Sequence, residues 1–169
     1  MAINKYLTNN GGTITEIAAL ATSAGAGSAN AIPALDGSGR LDNSFMPSGI
    51  GADTQAITAS EALAAGDFVN VWNSTGAKVR KADASVAGKE AHGYVLAAVS
   101  SSATATVFFD DLNNQVTGMT PGVVYLSATT PGQATGTAPS GSGQVVQRLG
   151  VAVSATAIHA AFVQPIALA

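Results

Sequence analysis

The chain of 169 residues has no cysteine. That excludes disulfides, thiol catalysis and cysteine metal ligation, and leaves the redox compartment open. Charge is scarce as well: seven Lys or Arg and ten Asp or Glu make 10% of the chain, against about 25% in an average soluble domain. A free protein keeps its surface soluble with interspersed charges, so this scarcity points to a surface largely covered in an assembly. The alternative is a neutral Ser/Thr/Asn/Gly-rich surface on an ordinary monomer. A net charge of −3 with no basic cluster argues against nucleic acid, whose binding rests on neutralising phosphates. No apolar run approaches the roughly 20 residues that span a bilayer. The N-terminus, one lysine followed by polar residues, does not read as a signal peptide. Soluble, unsecreted protein with no membrane partner is the expectation, and Asn73-Ser74-Thr75, which fits the glycosylation sequon, reads as a turn.

Chemistry-bearing groups are few. His92 and His159 are the only histidines, and neither has a G-x-S-x-G elbow or other partner motif, so both read as structural. Asp110-Asp111 ends a strand-like run and, without a convergent third group, reads as a solvated turn. Asp36, Ser38 and Asp42 near Gly37 and Gly39 faintly echo a calcium loop, but the alternating ligands and distant bidentate glutamate are missing. Gly25-Ala26-Gly27 lacks the third glycine of a dinucleotide fingerprint and opens no βαβ unit. No catalytic, metal or cofactor residue is assigned, and an enzyme is not expected.

What is present is a β grammar written twice. Phe68–Trp72, Ala77–Lys81, Gly93–Val99, Thr104–Phe109, Val123–Ser127, Val145–Val153 and Thr156–Val163 have strand character, with turn residues between them. Gly66–Phe109 and Gly122–Phe162 share their phrases: GDFVNVW answers GVVYL, and HGYVLAAVSSSATATVFF answers RLGVAVSATAIHAAF. The expected fold is mainly β, a small sandwich or barrel of two pseudo-repeated units (about 66–109 and 122–163) packed about a pseudo-twofold axis within a domain spanning 53–169. Trp72 and Tyr125 occupy matching strands and read as core or interface aromatics.

Residues 1–52 differ. Thr13-Ile14-Thr15-Glu16 resembles a capping box, and Ile14, Ile17 and Leu20 form an apolar stripe, so a short helix is expected over about 13–22. A flexible linker follows over 23–30, then an extended strap over 31–52 broken by two prolines. Tyr6, Leu7, Ile14, Ile17, Leu20, Leu35, Leu41, Phe45, Met46 and Ile50 are too many apolar side chains for a free linker, so the arm should lie along something. Extended at about 3.3 Å per residue it could reach on the order of 150 Å. Ordering costs about 1–2 kcal/mol per residue; burying each anchor at about 1.5–3 kcal/mol offsets part of it.

Residues 32–53, IPALDGSGRLDNSFMPSGIGAD, resemble the joining segment of tailed-bacteriophage structural proteins, where a "value–DGSGxLD–xxMP" phrase links an N-terminal arm to a β domain. AGDFVNVWNSTGAKVRKADAS, AHGYVLAAVS and VVYLSATTPGQATGTAPSGSGQVVQRLGVAVSATAI are similar to capsid decoration (cement) and fibre-like virion proteins. The resemblance covers about residues 31–163. It implies a non-enzymatic protein on the outer surface of the head, often a homotrimer, whose partner is the major capsid protein. A tail or head fibre component is the runner-up. A small-molecule or glycan-binding β module, or an enzyme, stands third and would need a pocket with convergent polar groups.

Overall fold

The computed structural model describes residues 5–46 and 52–169. The chain is mainly β and divides into two compact units, Met1–Gly51 and Ala52–Ala169. In the first, β1 (Lys5–Asn10) and β2 (Thr13–Ala18) pair antiparallel from Lys5↔Ala18 to Asn10↔Thr13. The helix expected over 13–22 is therefore corrected to a β-hairpin strand. Gly11 and Gly12 lie between the strands at φ +60° and +96°, the left-handed pair that a two-residue type I′ turn requires. The β-branched Thr13, Ile14, Thr15 and Ile17 then favour the pleated conformation, and a possible capping box cannot outweigh a turn that commits the chain to reversing.

Residues 23–30, expected to be a flexible linker, hold a 3-10 turn at Gly25–Ser28, with the Ala24 N–H donating to Ser28 Oγ. Leu20 forms a parallel bridge with Pro33: its N–H donates to Ile32 O and its carbonyl accepts from Ala34 N. A second 3-10 turn, Asn43–Phe45, is capped by the Asp42 side chain. The strap's last residues, Ile50 among them, lie outside the described residues.

The second unit begins with a closed five-stranded barrel. Its strands are β3 (Thr54–Ala59), β4 (Phe68–Asn73), β5 (Ala77–Lys81), β6 (Gly93–Val95) and β7 (Thr104–Phe108). The neighbour order is β3-β5-β4-β6-β7, and β3 pairs with β7 again to close the ring. The β3–β5 contact is parallel, through Thr58↔Lys78 and Ala59↔Val79. Alternation points Ile57, Ala59, Val69, Val79, Val95, Ala105 and Val107 into the barrel, where eight or fewer strands leave room only for side chains.

Then come β8 (Asp111–Asn113), β9 (Gly122–Leu126), β10 (Ala134–Thr135), β11 (Val145–Val146), β12 (Arg148–Ser154), β13 (Ala157–Ala160) and β14 (Ile166–Ala167). Asp110-Asp111, read from sequence as a solvated turn, in fact leads into a strand, with Asp111 at φ +82°. β11 pairs with β14, and the remaining five form a sheet in the order β10-β9-β12-β13-β8. Its neighbour order is that of the barrel when β8, β9, β10, β12 and β13 are laid over β3, β4, β5, β6 and β7. Among the described residues no pairing joins β8 to β10, so this sheet stays open.

Gly93 in β6 and Gly150 in β12 hold equivalent places in the two sequence phrases. A Cβ on Gly93 would come within 2.5 Å of Phe108 O, and one on Gly150 would run into His159 O. In both sheets the backbone of the following strand passes where a side chain would stand.

The barrel's outer side and the sheet share the main core. Phe68 and Tyr94 pack with Val124, Leu126, Leu149, Ala152, Ile158 and Ala160. Phe68 meets Tyr94 and Phe162 edge-on at 6.1 and 6.2 Å, and Tyr94 stacks on Phe108 at 5.6 Å, contacts of about 0.5–1.5 kcal/mol each beyond burial. Backbone bonds also cross between the halves: Phe68 N donates to Gly132 O, Gly132 N to Ala82 O and Val145 N to Ala84 O.

Candidate functional site

The first unit is ordered without a core. None of its described residues, 5–46, is buried. On one hairpin face Leu7 and Ile14 stand diagonally across the strands, 71% and 63% exposed; Lys5 and Glu16 flank them and pair at 2.5 Å. On the other face Tyr6 lies opposite Ile17. Leu35 and Leu41 flank the Asp36–Arg40 turn, with Leu35 60% exposed. Phe45 is half-buried and Met46 exposed beside the capped 3-10 turn. Leu20 is half-buried at its bridge to Pro33. The nine described anchors thus fall at four places: the hairpin, the Leu20 bridge, the turn and the capped end.

The strap's carboxylates are committed to backbone geometry. Asp36 Oδ1 accepts from the amides of Ser38 and Arg40, and these bonds, Arg40's first, hold its carboxyl below the ordinary 3.8. The Ser44 side chain and amide hold Asp42 down in the same way. Among the described residues no three His, Asp or Glu gather as a metal-binding group.

The second unit carries a cleft of about 310 Å³ beside the one tryptophan. Trp72 comes from β4, Arg80 and Lys81 from β5, Glu61 from the loop before β4, and Asp83 and Lys89 from the loop after β5. Arg80 stands over the indole at 4.6 Å. It is pinned there because its Nε donates to Asn70 Oδ1 and its Nη2 to Gly88 O. Asn70 is itself buried and donates to Glu90 O. Lys81 Nζ pairs at 3.2 Å with Asp67, whose side chain is 1% exposed. Asp67 also accepts from Ala64 N and Gln133 Nε2, so the buried charge has three partners. Three of the chain's seven cations meet here. Sequence reading missed the cluster because its residues are spread over thirty positions; the one local signal was KVRK alternating opposite a tryptophan strand.

The other sequence candidates are accounted for locally. His92 Nδ1 accepts from Val71 N at 3.0 Å, which locks the ring to β4. His159 lies on the sheet's outer face in a row with Leu112 and Val151. Tyr94 Oη donates to Asp110 O at 2.8 Å. Burial first, then the charges of Asp111 and Asp110, push its phenol up to about 12. Tyr125 is half-buried in β9, opposite Arg148. No protein-family model matches the chain, and neither a curated protein nor a solved structure matches it significantly.

Proposed function

We propose that the chain is a non-enzymatic decoration (cement) protein of a tailed-bacteriophage head, held on the outer surface of the capsid by its N-terminal unit. The observation that carries this reading is the ordered first unit with no buried residue among 5–46. A two-stranded hairpin alone is marginally stable in water, and apolar anchors such as Leu7, Ile14 and Leu35 have no core within their own unit to bury them. The major capsid protein is that surface in this reading, and the phrase at residues 32–53 supports it by its resemblance to virion joining segments. The β domain, taken as two copies of one unit on the strength of the shared strand order and the Gly93/Gly150 match, self-associates as a trimer in this reading.

The test is binding to purified heads that lack the protein. The full chain should sediment with heads in many copies spread over the shell, visible as regularly placed density at low resolution. A chain beginning at Ala52, which retains the barrel and its core, should remain folded and stay in the supernatant. Undiminished binding of the shortened chain would refute the clamp. A few copies confined to the tail or one vertex would favour the second reading, a fibre component that attaches to the host.

A further inference from the structure

The cleft beside Trp72 has a composition that the decoration role does not use. Its floor is a half-exposed indole with a guanidinium fixed over it by Asn70 and Gly88. Its rim carries both charge signs in near balance: Lys81 is answered by the buried Asp67, and Lys89 stands 4.0 Å from Asp83. That last separation is too long for a hydrogen bond, so the ammonium and Asp83 Oδ2 both retain hydrogen-bonding capacity toward a third group. Asp83 Oδ1 is engaged by Ser85 N, and Glu61 Oε1 by Lys81 N. The cleft therefore offers directed donors and acceptors around a half-exposed indole, one face of which Arg80 covers, with little net charge.

We propose that this cleft binds a neutral saccharide. Vicinal hydroxyls both donate and accept, so one sugar edge can bridge the Lys89–Asp83 gap while the next hydroxyl reaches Glu61. Arg80 covers one face of the indole, so the C–H face of a pyranose would lie against the exposed remainder of the ring, and the preset guanidinium adds a donor without an ordering cost at the moment of binding. A bare anion would need surplus positive charge, and the paired carboxylates remove it. A nucleic acid fails for the same reason. The volume lies at the low end of the range of about 300–1,000 Å³ usual for small-ligand sites, so one or two sugar rings fill it. The proposal stands apart from head attachment, because every residue in it belongs to the β domain.

Since Trp72 is the sole tryptophan, its fluorescence reports this cleft alone. The full chain is titrated with maltotriose, chitotriose and lactose, with sodium sulfate and sodium chloride as anion arms, and screened on an array of neutral glycans with calorimetry on any hit. The expected result is a saturable emission change with at least one neutral saccharide. Binding should weaken at least tenfold in Glu61→Gln and in Lys89→Ala and stay unchanged in Arg148→Ala, a site in the other sheet. Both cleft substitutions fall on loops outside the core, and circular dichroism checks each fold; if one variant misfolds, the other carries the test. No response to any neutral glycan, a response to sulfate alone, or saccharide binding that both cleft variants leave intact would overturn the proposal.

Discussion

The side chain of Gln147 pairs with the backbone of Ala91 in both directions. Ala91 N donates to Gln147 Oε1 at 2.7 Å, and Gln147 Nε2 donates to Ala91 O at 2.8 Å, across 56 positions of sequence. The carboxamide takes the place of a neighbouring strand for a residue that has none, and both residues are buried. Removing it strands a donor and an acceptor away from water, at about 1–3 kcal/mol each. Gln147→Ala should therefore lose about 2–6 kcal/mol in urea unfolding. Gln147→Glu should also destabilise, because Ala91 O would face a second acceptor.

Gly93 and Gly150 should be intolerant to the same degree for the same reason. An added methyl meets a backbone carbonyl in each case, and Gly150 also lies at φ +148°. Backbone cannot rotate aside as a side chain can. Gly93→Ala and Gly150→Ala should each cost more than about 3 kcal/mol, or prevent folding. Gly76→Ala meets no neighbour within 4 Å and should cost only the strain of its positive φ, about 1 kcal/mol. Thermal melts of the three variants make the comparison.

Tyr94 makes stability fall in alkali. Its folded phenol titrates at about 12 against an ordinary 10.0, so the folded state holds a proton that the unfolded chain releases first. The stabilisation is complete below pH 10 and disappears as pH rises from 10 to 12, for a total of about 2–3 kcal/mol. Tyr94→Phe should remove that slope while losing about 1 kcal/mol at neutral pH with the Asp110 hydrogen bond. Urea midpoints across the alkaline range, wild type minus variant, isolate the effect because the two chains differ only at residue 94.

The hairpin should matter to binding and not to the melting of the β domain. Leu7→Ser with Ile14→Ser changes two exposed side chains, so its effect on the thermal midpoint of residues 52–169 should be negligible. Head binding should fall more than tenfold as two anchors of about 1.5 kcal/mol or more are lost. Co-sedimentation at a series of protein concentrations reads the change. Wild-type affinity in the double variant would remove the hairpin from the clamp.

Local residue pattern made several strands legible before any fold was known. Ala77–Lys81 alternates Val79 with Lys78 and Arg80, because a half-buried strand must show two faces, and Val123–Leu126 is legible from its β-branched and aromatic residues. The hairpin is not legible in the same way: Glu16 three residues after Thr13 suits a helix start, while the decisive feature is the Gly11-Gly12 pair, whose left-handed φ values reverse the chain. β8 was hidden because an exposed Asp111 at positive φ looks like a turn until β13 supplies the partner strand.

By itself the sequence determined that the chain is β-rich, poor in charge, and provided with an apolar N-terminal segment, since side-chain period and composition are local properties. Tertiary structure decided that one five-stranded set closes through the parallel β3–β5 contact while the other stays open. It also decided that Glu61, Arg80, Asp83 and Lys89 meet around Trp72. Both outcomes depend on which distant segments lie side by side, and hydrogen-bond pairing between strands leaves no mark on either strand alone.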